Sequence, residues 1–368
     1  MNLRYLCALV LAGAVLLGVA SVSSAAPTGS FTTVVSGLDN PRDLAFSPNG
    51  NLDVAEAGSG GPNCAGGNCF GFTGGISVVD LGAGTAHRVV SGLASVAGED
   101  GFGATGVDGI SFLGNGTAYG IMTGASDAVP DGVFPADVTA GLKAQFGRLL
   151  QFNPSGHWKA TADVGHTDWV FSTQNADLVP PGNFPDANPY GVLALGGVQW
   201  VVDAATNTID RVSPNGSVDI VKFIPNVNSV ADAVPTCIDS GRDGALYIGE
   251  LTGAGSGPGA SIVWRFDPQS GGLTQWATGL TSVTGCGFAP NGQFYATEFS
   301  AVNGFENASP GEGAVVLVPP HSTSPTVVAD GLSFPGGFAA GADGALYASN
   351  WSIAPAYTGL GSVVRVNP

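Results

Sequence analysis

Positive charge is scarce in this chain: 11 Lys+Arg stand against 28 Asp+Glu in 368 residues, a net charge of −17. Nucleic acids and anionic membrane surfaces both require clustered cations, so neither is expected as a partner. Charge of either sign is thin, at 11% of residues, while mean hydropathy is +0.26. That balance is the reverse of a disordered chain. Long apolar runs are lacking after residue 20. The run at the start, Leu6 to Ala20, follows Arg4 and precedes Ser23-Ser24-Ala25, the layout of a cleaved secretory signal too short to span a bilayer comfortably. We therefore expect a signal peptide over 1–25, one mature domain over 26–368 with no membrane span, and a secreted or periplasmic monomer. Cys7 lies near the beginning of the apolar run rather than at its end, which argues against a lipid anchor.

Cysteine and histidine are also rare. Without Cys7 the cysteines are Cys64, Cys69, Cys237 and Cys286, an even number in an oxidising compartment. Cys64 and Cys69 bracket Ala-Gly-Gly-Asn, where a bridge pins a small loop. For Cys237 and Cys286, set in one column of the repeat described below, two readings stand: a bridge between neighbouring repeats near an axis, or two buried thiols. The four histidines, His87, His157, His166 and His321, fall in no repeated position, so a Ser/His/Asp arrangement has no support. Only His166, near Asp163, Asp168 and Trp169, sits where a site role is conceivable.

Glycine is abundant, with 58 residues, and it marks a repeat. Copies begin at Asn40-Pro41-Arg42-Asp43-Leu44, Gly106-Val107-Asp108-Gly109-Ile110, Asn188-Pro189-Tyr190-Gly191-Val192, Val234-Pro235-Thr236-Cys237-Ile238, Val283-Thr284-Gly285-Cys286-Gly287 and Phe334-Pro335-Gly336-Gly337-Phe338. Most lead through Asn-Gly or Asp-Gly into a short run ending in a polar residue. Asn-Gly and Asp-Gly between apolar runs are hairpin signals, because both turn residues tolerate positive φ. Each copy then supplies two further strands, such as Ile262 to Phe266 and Leu273 to Leu280. Four strands repeated six times predict an all-β, six-bladed β-propeller. The last copy stops one strand short, and Phe31 to Leu38 resembles the missing strand, so we expect the N-terminal strand to close the ring. Such closure leaves no open edge.

Loop lengths divide the two faces. Turns on one face are minimal, whereas Ala57 to Gly75, Thr123 to Gly147, Gly165 to Ala187, Leu251 to Ala260, Phe299 to Gly313 and Trp351 to Gly361 are long and share the other face. Long loops on a rigid scaffold are where binding residues concentrate. Strand two ends on that face at Glu56, Met122, Asp203, Glu250, Glu298 and Asn350, and strand one begins beside it with Arg42, Asp43, Asp108, Asn188, Tyr190 and Thr236. Convergent carboxylate and amide oxygens suit a hard cation such as Ca²⁺, or raise a carboxylate's pKa for acid–base work. The other reading is that each carboxylate accepts hydrogen bonds from its own loop. Our candidate ligand-binding set is Arg42, Glu56, Asp108, Asn188, Tyr190, Asp203, Thr236, Glu250 and Glu298. The aromatic residues Phe134, Trp169, Phe171, Phe184, Trp351 and Tyr357 either rim a ligand or core the loops.

Several of these segments resemble the ScyD/ScyE family. They are Gly37-Leu38-Asp39-Asn40-Pro41-Arg42, Val54-Ala55-Glu56-Ala57-Gly58-Ser59-Gly60-Gly61, Asn188-Pro189-Tyr190-Gly191, Asp243-Gly244-Ala245-Leu246-Tyr247-Ile248-Gly249-Glu250 and Asp343-Gly344-Ala345-Leu346-Tyr347. The resemblance covers nearly all of the mature chain. It implies an exported propeller, in a family named for association with scytonemin, a cyanobacterial indole-phenol pigment. Two departures stand out: Val107-Asp108 replaces a Pro-His-Asp of that family, and Cys237 and Cys286 replace residues usually Gly or apolar there. More distantly the chain resembles NHL-repeat, gluconolactonase-like and virginiamycin B lyase propellers. Two functions are left open: binding or scaffolding of a small molecule or exported protein on the long-loop face, or metal-dependent lyase or hydrolase action on small aromatic or cyclic substrates at the axis.

Overall fold

The computed structural model describes residues 30–367 other than Pro154, Pro181 and Tyr357. The signal-peptide expectation, Cys7 and Tyr357 fall outside the described residues. Within them the Gly turns do what the repeat predicts, by a different geometry. In the first hairpins of blades one, two, four, five and six only the glycine has positive φ: Gly50 (88°), Gly116 (87°), Gly244 (77°), Gly292 (86°) and Gly344 (84°). Each donates to the carbonyl three residues back, as from Gly50 to Ser47 at 2.9 Å. The preceding Asn or Asp keeps negative φ and, in most of these turns, accepts from the backbone two residues on, as Asn115 does from Thr117 at 3.0 Å. These are longer hairpins closed by a left-handed glycine. Only blade three, with Gly196 (61°) and Gly197 (87°), has a two-residue turn with both φ positive.

The strands assemble into six sheets. From the axis outward, blade one is Pro41–Phe46, Leu52–Glu56, Asn68–Asp80 and Thr85–Gly98; blade two is Val107–Phe112, Ala118–Met122, Arg148–Phe152 and Trp158–Asp163. Blade three is Pro189–Leu195, Val198–Asp203, Thr208–Val212 and Val218–Phe223; blade four is Pro235–Ser240, Leu246–Glu250, Ser261–Asp267 and Gly272–Leu280. Blade five is Val283–Phe288, Phe294–Glu298, Gly313–Val318 and Thr326–Leu332. Blade six is Phe338–Ala340, Leu346–Asn350 and Gly361–Asn367, completed by Ser30–Leu38, which runs antiparallel to Gly361–Asn367 from Ser30↔Asn367 to Leu38↔Gly361. The fold is the expected six-bladed propeller with the expected closure.

Because strand side chains alternate, each blade buries one set of residues against the blade before it and the other set against the blade after it. Leu246 and Ile248 pack with Trp200 and Val202 of blade three, while Tyr247 packs with Phe294 and Val316 of blade five. The same arrangement recurs around the ring, and Val35, Leu44, Leu52, Tyr347 and Val363 seal blade six to blade one.

Two insertions expected as loops contain helices, α1 (Ala136–Lys143) and α2 (Val164–Gln174). A third, in blade one, contains a hairpin strand, Asn63–Ala65, paired with Asn68–Asp80. Cys64 and Cys69 are opposed in that hairpin and disulfide-bonded, with Cα atoms 3.9 Å apart. Cys237 and Cys286 are also bonded, with Cα atoms 5.6 Å apart. Their register differs from expectation. Pro235 opposes Glu250 and Val283 opposes Glu298, so Cys237 corresponds to Gly285 and Cys286 to Ile238. The offset is required: adjacent residues point to opposite sides of a strand, so a bridge between neighbouring blades joins positions of opposite parity. Two disulfides suit an oxidising compartment. No helix among the described residues is long and apolar enough to cross a membrane.

Candidate functional site

A backbone lock, regular in five blades and shifted in the sixth, builds the long-loop end of the axis. In blades one to five the residue before the inner strand offers its carbonyl to the first N–H after strand two: Asn40 to Ala57 (3.1 Å), Gly106 to Thr123 (2.8 Å), Asn188 to Ala204 (2.9 Å), Val234 to Leu251 (2.8 Å) and Ser282 to Phe299 (2.9 Å). In blade six, whose inner strand begins later, the first such N–H, Trp351, goes to Ser333 (2.7 Å) and the second, Ser352, to Phe334 (3.0 Å). Four of these residues are left-handed, Asn40 (52°), Val234 (54°), Ser282 (51°) and Phe334 (47°), a strained choice for Val and Phe that only a surrounding lock sustains. The fifth copy therefore starts at Ser282, one residue before Val283.

In this register the second residue past the lock reads Arg42, Asp108, Tyr190, Thr236, Thr284 and Gly336, and these meet around the axis. Arg42 and Asp108 are 3.5 Å apart and both buried. Arg42 also donates to the Ala104 carbonyl and, at 3.4 Å, to the Tyr190 hydroxyl. Asp108 accepts from Thr105 at 2.6 Å. Thr236 and Thr284 give their hydroxyls to the next blade, at Val283 (2.7 Å) and Pro335 (2.8 Å). The following residue is Asp43, Gly109, Gly191, Cys237, Gly285 or Gly337. Glycine is needed here for approach: a Cβ on Gly109 meets the Tyr190 carbonyl at 2.6 Å, and one on Gly285 meets that of Gly336 at 2.5 Å. The inner strands close so tightly that the hub keeps a cavity of only about 30 Å³, lined by Asp43, Asp108, Tyr190, Thr236, Thr284 and the Cys237–Cys286 bridge.

The remaining candidates do not reach this cavity. Each polar residue that ends strand two holds its own blade. Glu56 accepts from Asp39 N–H (2.7 Å), Glu298 from Thr281 N–H (2.7 Å) and Asn350 from Ser333 N–H (2.7 Å). Glu56 also takes Ser77 and, at 2.5 Å, Arg88. Asp203 accepts from the backbone of Asn188, Ala205 and Thr206 at 2.8–3.0 Å. Glu250 accepts from Ile262 N–H (3.1 Å) and the Trp264 indole (2.7 Å). The Asn188 side chain accepts from Thr123 at 2.6 Å. No group of three or more His, Cys, Asp or Glu among the described residues is placed to hold a metal ion. His166 is exposed and faces Asp127 at 3.0 Å. Phe134 packs on Phe70, and Trp351 on Phe334 beside Phe299, as loop cores.

Sequence reasoning passed over Thr284, which the corrected register aligns with Thr236, and Asp239. The Asp43 and Asp239 carboxylates staple neighbouring inner strands, accepting from Ile110 (3.2 Å) and Phe288 (2.7 Å). Burial pushes Asp43 up to about 7 and Asp239 to about 6, and lifts the Tyr190 hydroxyl to about 12. Burial likewise raises Asp108, against the pull of Arg42, and takes Glu250 to about 8 and Glu298 and Asp53 to about 7. Unfolded carboxyls titrate near 4, so every one of these carboxyls, the tyrosine aside, is raised above its unfolded position. Their contribution to stability is complete below about pH 4 and is lost as the pH climbs through about 6 to 8. The midpoint of thermal unfolding is thus expected to rise as the pH falls from about 8 to about 5. A midpoint that falls over that interval contradicts the assignment.

Roomier concavities lie on the short-turn face. One of about 430 Å³ between blades four and five is floored by Tyr247, Trp276, Phe288 and Phe294 and bordered by Arg242, which donates to the Pro290 carbonyl at 2.6 Å.

No protein-family model matches the chain, and no curated protein matches it in sequence. Solved structures do. A gluconolactonase from Xanthomonas campestris superposes with a TM-score of 0.56 at 9% identity, covering 92% of this chain and 89% of that one. An oxidoreductase described as a glucose dehydrogenase, from Thermus thermophilus, gives 0.54 at 16% identity, covering 92% and 99%. Virginiamycin B lyase from Staphylococcus aureus gives 0.48 at 13% identity, covering 92% and 99%. At such identities the first two establish likeness of fold, and the fold alone.

Proposed function

We propose that this chain is an exported binding or scaffold propeller of the ScyD/ScyE type, whose long-loop face receives another exported protein. The observation that carries the reading is the distribution of exposed apolar side chains. Of seven large ones among the described residues, Val133, Val170, Val230, Val302 and Leu360 belong to the long insertions and blade links of that face. Their concentration on one face, against Leu195 and Val327 toward the other, is what favours an interface there. The alternative, a lyase or hydrolase working at the axis, needs space for an organic substrate, whereas about 30 Å³ admits a water molecule or two. A small ligand is better accommodated in the aromatic groove between blades four and five, whose volume of about 430 Å³ lies in the range of ligand pockets.

The test is photo-crosslinking from Val230 and Val302 in the exporting cell, with Leu195 at a short turn as control. Adducts with one exported protein from the first two positions and none from the third support the reading. Adducts from Leu195 alone, or turnover of a lactone or cyclic aromatic ester by the purified protein, contradict it.

A further inference from the structure

Helix α2 meets blade three through carboxyl groups. Asp168 of α2 is completely buried with Asp203 and with Asp210 of Thr208–Val212. Asp203 spends both oxygens on backbone N–H groups. Asp168 and Asp210 have four oxygens between them and one hydroxyl in reach, that of Thr208, 3.2 Å from Asp168 Oδ1 and 3.4 Å from Asp210 Oδ2. Asp168 Oδ2 and Asp210 Oδ1 are buried without any partner.

Among the described residues no cation offsets these groups. On the elements packed against α2, Asp127 faces His166 at the surface, and Arg148 pairs with Asp163 at 2.5 Å. Arg211 follows Asp210 in the strand, so it points to the other side, and it donates to Ser213 at 3.3 Å. Lys222 donates to the Gly271 carbonyl at 3.0 Å, Asp219 is exposed, and Asp186, which feels both Asp203 and Asp232, adds only further negative charge. Two ionised carboxylates in such a place are prohibitively costly, so the site must be neutralised. A metal ion does not suit it, because Asp203 is already committed and no three-ligand group is present among the described residues.

We propose that Asp168 and Asp210 share protons at neutral pH and form an acid-held latch between α2 and blade three, which opens as the pH rises. Burial first, then repulsion from Asp203 on both and from Asp210 on Asp168, holds both carboxyls well above the usual range, in agreement. The latch matters because α2 buries little else: its buried residues are Val164, Gly165, Asp168 and Ser172. Helix α2 also carries exposed Val170, so release loosens part of the long-loop face, although the latch itself does not depend on the proposed function.

Amide hydrogen exchange of α2, corrected for intrinsic rates, tests this between about pH 6 and about pH 9. Protection of α2 is expected to fall about tenfold more than that of the blade strands. In D168N/D210N, whose amides mimic the protonated acids, that excess is expected to vanish. A wild-type helix with flat protection overturns the proposal, as does protection restored by Ca²⁺ and removed by chelator, which signifies a cation in place of protons. Should the double variant not fold, the protonated-carboxyl infrared band of D168N against that of the wild type at neutral pH decides, because Asp43, Glu250, Glu298 and Asp53 contribute equally to both; an unchanged band overturns the latch.

Discussion

Replacing Cys237 and Cys286 together by Ala is expected to lower the unfolding free energy by about 4 kcal/mol, the chain-entropy value for a 49-residue separation. The bridge joins inner strands of blades four and five at the hub, so its loss frees the denatured chain and opens the axial wall together. Removing Cys64–Cys69, with a separation of 5, is expected to cost about 2 kcal/mol. That bridge closes a hairpin already paired to Asn68–Asp80. Denaturant unfolding of the two double variants checks the order. Equal losses, or a larger loss at Cys64–Cys69, contradict the assignment of the inner bridge to ring closure.

Arg42→Met is expected to cost roughly 3–5 kcal/mol, because it leaves Asp108 buried without its cation. Asp108→Asn in the same chain should return more than half of that loss, since the stranded charge is then gone. A double-mutant cycle measures the coupling. Additive losses contradict the view that the pair acts as one neutralised unit in the hub wall. Recovery is not expected to be complete, because the Tyr190 hydroxyl and Ala104 carbonyl also lose their Arg42 donor.

The blades were readable because their signal is local: a glycine turn, an alternating run and a polar terminus lie within about fifteen residues. The closing strand was readable for the same reason, since Phe31 to Leu38 carries the pattern of Thr326 to Leu332. Register failed at Ser282, where no Pro or Gly marks the left-handed position that the chain adopts. Helix α1 had its signals, with Pro135 before it, Asp137 in the first turn and Lys143 in the last. Helix α2 had few, since Gly165, Thr167 and Val170 are poor helix formers and its one cap, Asp163 accepting from His166 N–H at 3.2 Å, is inconspicuous. The loop-bonding carboxylates were legible in principle: Asp39 and Glu56, Thr281 and Glu298, Ser333 and Asn350 share one spacing of 17 residues. The Asp168–Asp210 contact was not, because it depends on how α2 docks.

The central claim is that function resides on the long-loop surface, while the polar hub holds the ring together. It is tested most directly by the affinity of the cross-linked exported partner for V230D/V302D and for R42M/D108N, measured by titration calorimetry. The account predicts at least a tenfold loss of affinity, about 1.4 kcal/mol, for the surface variant and an unchanged value for the folded hub variant. Unchanged binding by V230D/V302D together with lost binding by R42M/D108N contradicts it and returns function to the axis.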